Sequence, residues 1–224
     1  MSYWTTTAHI VMKDLVSEAR TRELTNAMLF FALLVLVLFS FSFQPASDEE
    51  RRVAAGVLWI AFLFAGVSVL DRSFWRERVN ECLDAWRLTP ASASALFLGK
   101  CVANALFLLL AEVILVPLFL VFFDLSIGGD VGTWALVIVL GTWALVVNGT
   151  FFAAMTTHLR SRELMLPLLL LPISVPALIA VVEATAAVLL GEGALRVWIQ
   201  VLAAFDLIYT TLALLLFETV LEGT

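Results

Sequence analysis

Few side chains in this sequence are of types that do chemistry, and their spacing excludes most of what they could do. The two histidines, His9 and His158, stand in polar stretches outside the apolar runs, in neither a CxxCH attachment motif nor an HExxH metal motif. Cys82 and Cys101 have neither CxxC nor metal-ligand spacing, so neither a disulfide nor a metal site is expected. GxSxG is absent, and no histidine lies inside an apolar run where it could serve a buried nucleophile as base, so no catalytic residue is assigned. Gly99-Lys100 hints at a phosphate-cradling loop. That loop needs GxxxxGK followed by Ser or Thr, and here Ser94 stands for the first glycine and Cys101 for the hydroxyl residue. Any ATP that powers this chain must therefore be bound by another polypeptide, and no cofactor is expected on this one. What remains is four polar side chains set in apolar sequence: Glu112, Asn148, Glu183 and Asp206.

The elements that position these four are set by composition. A chain that is 62% hydrophobic and 14% charged lies outside the range of soluble domains and is a membrane protein. Apolar runs predict six spans, near 24–43, 53–70, 95–123, 133–156, 164–182 and 197–217. The 224 residues leave no room for a separate soluble domain, so 1–224 forms one transmembrane domain, all-α. Residues 1–23 lack the apolar core and cleavage site of a secretory signal and are expected to stay in the mature protein. Pro167, Pro172 and Pro176 each remove a backbone donor from the fifth span, which is predicted to be kinked or partly unwound. The following 183–196, apolar but interrupted by Gly191 and Gly193, is predicted to form a short re-entrant or interfacial hairpin on the outer face.

Glu112 falls about 13 residues into the third span and Asp206 about nine into the sixth, so at about 1.5 Å per residue both lie well inside the membrane. An ionised acid there costs about 2.5 kcal/mol or more unless paired or protonated. Each is therefore either a polar lock between helices or a substrate contact. Glu183 lies at the outer boundary, where it could cap the re-entrant helix. Asn148-Gly149-Thr150 matches a glycosylation sequon but lies within a span; Gly149, with Ala153 four residues on, suits a close helix contact instead.

The basic residues orient the spans. Ten of the 13 (Lys13, Arg20, Arg22, Arg72, Arg76, Arg78, Arg87, Lys100, Arg160 and Arg162) fall on one face, leaving Arg51, Arg52 and Arg196 on the other. The positive-inside rule then puts both termini in the cytoplasm. The formal net charge of -6 is scattered, so it points to no partner, and no nucleic acid is expected. Ahead of the first span, Ala8, Val11, Met12, Leu15, Val16 and Ala19 form one face of a helix and Lys13, Asp14, Ser17 and Glu18 the other, predicting an interfacial helix along the bilayer. The connection 71–94 holds a second amphipathic segment, with Trp75, Val79, Cys82, Leu83 and Trp86 on one face and mixed charges on the rest, stopped by Pro90. Interleaved acids and bases suit a protein groove better than anionic lipid.

This arrangement resembles the ABC-2 type exporter permeases. Four stretches in this order, KDLVSEARTRELTNAMLFFALL from Lys13, LDRSFWRE from Leu70, LGKCVANALFLLLAEVILVPLFLVFF from Leu98 and RSRELMLPLLLLPISVPALIAVVEAT from Arg160, are similar to the CcmB family in particular. That family supplies the permease subunit of the haem exporter complex of c-type cytochrome maturation. The resemblance covers nearly the whole chain. It implies that the cytoplasmic insert is a coupling helix, with Arg76, Glu77, Glu81, Leu83 and Pro90 docking a CcmA-type ATPase subunit. It also implies a CcmC-type haem-handling membrane subunit, a haem chaperone, a second copy of this chain, and residence in the bacterial cytoplasmic (inner) membrane. Haem enters only as possible cargo. Asn80-Glu81 before Cys82-Leu83 departs from the many relatives that carry a glycine there. The rival readings are an ABC-2 exporter of a drug, lipid or polysaccharide, and a membrane scaffold without transport.

Overall fold

A computed structural model describes residues 3–74, 92–126, 130–156, 162–191 and 193–222. Among these residues the chain is helical throughout: α1 (Tyr3–Thr21), α2 (Glu23–Ser42), α3 (Asp48–Arg72), α4 (Ala93–Phe122), α5 (Val131–Thr156), α6 (Arg162–Leu190) and α7 (Leu195–Glu222). The six from α2 to α7 are long and apolar enough to cross a membrane, as the apolar runs predict.

Helix starts follow local chemistry more closely than apolar runs do. The second span begins at Asp48 because Ser47 and Glu50 form a capping box: the Ser47 hydroxyl accepts from Glu50 N at 3.3 Å, and Glu50 Oε2 accepts from Ser47 N at 2.9 Å. Asp48, Glu49 and Glu50 fill its first turn, where negative charge complements the helix dipole.

Burial divides the spans into core and periphery. In α3 and α5, 67% and 61% of the spanning residues are buried, against 17% in α2 and 22% in α7. Helix α5 touches α3, α4, α6 and α7, and α4 touches α1, α2, α3, α5 and α7, while α2 packs on α3 and α4. Gly141 and Gly149 allow this closeness: a Cβ on Gly141 would strike Trp59 and Val181, and one on Gly149 would strike Leu70. The helix contact expected at Gly149 is present, against α3.

Two expectations need correction. Helix α6 runs as one continuous helix through Pro167, Pro172 and Pro176, so of the predicted kink or unwinding it is the unwinding that does not occur. The freed carbonyls cost less where α3, α5 and α7 pack around the helix, as they do here. The segment 183–196 forms no re-entrant hairpin: α6 continues through Glu183 to Leu190. Ala184, Ala186 and Ala187 are good helix formers whose small side chains bury, and nothing interrupts them before Gly191. Gly191 and Gly193 then adopt φ of 69° and 109°, and the chain turns directly into α7.

Helix α1 lies on α4. Thr6, Thr7, Ile10 and Glu18 are buried, while the apolar stripe presents Met12 and Val16 outward. An outward apolar stripe is what a helix at the lipid interface requires.

Candidate functional site

The expected docking residues Arg76, Glu77, Glu81, Leu83 and Pro90 lie outside the described residues, as does His158. The described residues do include both roots of the insert. Helix α3 ends at Arg72 and passes through Ser73 and Phe74, and α4 resumes at Ala93.

Between these roots lies Lys100, 1% exposed. Its Nζ donates to the Ser73 carbonyl at 2.7 Å, lies 2.9 Å from Asp14 Oδ2 on α1, and stands 5.4 Å from the centre of the Phe74 ring. A buried ammonium is tolerated only when paired and hydrogen-bonded, and this one draws three elements together to achieve that. One turn along α4, Asn104 Nδ2 donates to the hydroxyls of Ser73 and Thr150, each at 3.0 Å, adding α5 to the joint. Gly99 lets α1 settle on α4, since a Cβ there would stand 2.9 Å from Ile10. The Gly99-Lys100 pair thus serves a helix joint. On the far side, the Phe74 and Phe97 rings lie 6.3 and 4.9 Å from that of Phe217, tying the root to the end of α7.

The intramembrane candidates separate by partner. Glu112 on α4 is 3% exposed, and both its carboxylate oxygens lie 2.7 Å from the Thr142 hydroxyl on α5, the geometry of a lock between helices. Asn148 turns back on its own helix, donating to the Ala144 carbonyl at 3.0 Å. Glu183 caps no hairpin; it pairs with Arg52 at 2.8 Å and joins the ends of α3 and α6 that lie opposite the insert. Asp206 is 7% exposed, and neither of its carboxylate oxygens has a hydrogen-bond partner among the described residues. Two tryptophan latches complete the set: Trp59 Nε1 donates to Thr185 at 2.8 Å and Trp143 Nε1 to Thr210 at 3.0 Å. Among the described residues no three His, Cys, Asp or Glu side chains gather into a metal site.

The pairings of Lys100 with Asp14 and of Arg52 with Glu183 do not emerge from sequence reasoning. A signal for the first exists, because a lone lysine inside an apolar run must find a counter-charge. Nothing in the sequence says which one.

Fold and joint together define a polytopic helical membrane protein whose one long connection is anchored at both ends by a buried polar cluster. The family model described as "CcmB protein" matches residues 5–222. The chain is 33% identical over 181 residues to Heme exporter protein B of Pseudomonas aeruginosa, covering 81% of this chain and 76% of that one. It is 36% identical over 152 residues to the protein of the same name from Rhodobacter capsulatus, covering 67% and 69%. With that of Paracoccus denitrificans it shares 32% over 176 residues, covering 78% and 80%. The chain belongs to the CcmB family.

Proposed function

We propose that this chain is the membrane-spanning permease subunit of an ABC transporter complex acting in haem export for cytochrome c maturation. The carrying observation is the match over residues 5–222, joined by relatives named Heme exporter protein B. ATP is bound and hydrolysed on a separate CcmA-type chain, and the work enters here through the insert, with Arg76, Glu77, Glu81, Leu83 and Pro90 as the docking surface. The Lys100 joint supports this role: a force on the insert passes through Ser73 to α4, α1 and α5 at once. Both termini and the insert face the cytoplasm, and the complex includes a CcmC-type subunit, a haem chaperone and a second copy of this chain.

The same complex could use ATP to release a haem-loaded chaperone without haem crossing this chain. One feature favours that reading. Glu112, Asn148 and Glu183 are each engaged by another residue or by their own helix, which leaves few polar groups to meet a cargo. The test is co-purification in detergent with identification of bound chains. Exchanging charges at Arg76→Glu and Glu77→Arg should abolish recovery of a P-loop ATPase and formation of holocytochrome c while membrane insertion persists. Unchanged recovery would sink the docking assignment.

A further inference from the structure

Where α1 meets α2, the chain turns through Arg22, whose φ of 52° puts it in the left-handed region and breaks the helix into an elbow. The elbow and α4 enclose a groove of about 440 Å³, within the roughly 300–1,000 Å³ typical of small-molecule sites. Its floor is apolar, formed by Leu106, Phe107 and Leu110 of α4. Leu106 and Leu110 are 42% and 57% exposed within a membrane-spanning helix, so the floor continues onto the face that meets acyl chains. Its mouth is polar, with Arg22 and Asn26 at the start of the first span.

The charges at the mouth are not equivalent. Glu18 is 3% exposed and turns toward α2, where its Oε1 accepts from Thr25 N at 3.0 Å and from the Thr25 hydroxyl at 3.2 Å. Arg22 is exposed and makes no side-chain hydrogen bond or ion pair among the described residues. The guanidinium is therefore the charge the mouth offers, and its planar fork matches the oxygens of a phosphate. A cation at the bilayer boundary above an apolar floor that opens toward the acyl chains is complementary to one kind of molecule.

We propose that the α1–α2 elbow is a binding site for a membrane glycerophospholipid, with Arg22 holding the phosphodiester and Leu106 and Leu110 lying along the proximal acyl chain. Occupied, the site fixes the angle between α1 and the bundle, since its walls come from both.

The test uses the full-length chain in nanodiscs that contain dioleoylphosphatidylglycerol and dioleoylglycerol, which has the same tails and no phosphate. After transfer to detergent, native mass spectrometry counts the lipids retained. The phospholipid should be retained and the diacylglycerol should not. Arg22→Gln should lower phospholipid retention at least fivefold, and Leu110→Asp should lower it without touching the cation. Arg20→Gln removes an exposed charge two residues away and should change nothing, which separates loss of the site from loss of folding or general charge. Equal retention of the two lipids, unchanged retention in Arg22→Gln, an equal loss in Arg20→Gln, or displacement of the lipid by millimolar inorganic phosphate would each overturn the proposal.

Discussion

Two ion pairs mark the two ends of the bundle, and they are almost the same length: 2.9 Å for Lys100–Asp14 and 2.8 Å for Arg52–Glu183. Their surroundings differ. The side chains are 2% and 17% exposed in the first and 52% and 33% in the second. A half-exposed pair contributes at most about 1 kcal/mol, because water and ions screen it. A buried pair adds little net stability but is costly to break, about 3–5 kcal/mol, because the remaining charge is left without compensation. The end opposite the insert is thus clipped weakly, and the insert end is a joint that cannot open without penalty. The proposed coupling role needs that asymmetry, since a force entering at the joint would have to move helices before it broke contacts.

Substitutions test this contrast, beginning with the buried pair. Asp14→Ala removes a counter-charge from the buried Lys100 ammonium and should destabilise the chain by about 3 kcal/mol or more. At about 2–4 °C per kcal/mol for a chain of this size, that is a fall of at least about 6 °C in the melting temperature in detergent. The double change Asp14→Asn with Lys100→Met removes both charges and should recover most of that loss, the signature of a pair retained for geometry.

Thr142→Val deprives Glu112 of its hydroxyl and should cost about 1–3 kcal/mol in the same melt. Glu112→Gln keeps a partner for Thr142 and should lower thermal stability less while preserving cytochrome assembly. Loss of assembly in a stable Gln variant would make Glu112 a substrate contact. The smallest effect is expected at the end opposite the insert, where Arg52→Ala should shift stability by no more than about 1 kcal/mol and less still at high salt. A fall as large as that of Asp14→Ala would erase the contrast between the two ends.

The sequence reveals the six spans because each is a long apolar run, and reveals α1 because its apolar positions repeat at helical spacing. It also carries a signal that apolar runs alone overlook: Ser47 and Glu50 start α3 well before its first continuous apolar residues. The proline triplet and the stretch 183–196 mislead because local propensity is overridden when neighbouring helices pack around a segment, and because Ala184–Ala187 favour helix over a turn. The ion pairs are the least legible. Arg52 and Glu183 stand 131 positions apart, and their meeting depends on the packing of α3 against α6. Likewise, which face of α1 turns inward depends on α4 offering Lys100 and a gap at Gly99 to receive it.

The most direct test of the joint is Asp14→Asn with Lys100→Met in a strain that makes c-type cytochromes, read in parallel as recovery of the ATPase chain and formation of holocytochrome c. The insert should still dock, so the ATPase chain is recovered in full, while holocytochrome c falls several-fold because the ion pair no longer passes force to α1. Normal cytochrome formation in that variant would contradict this role of the joint.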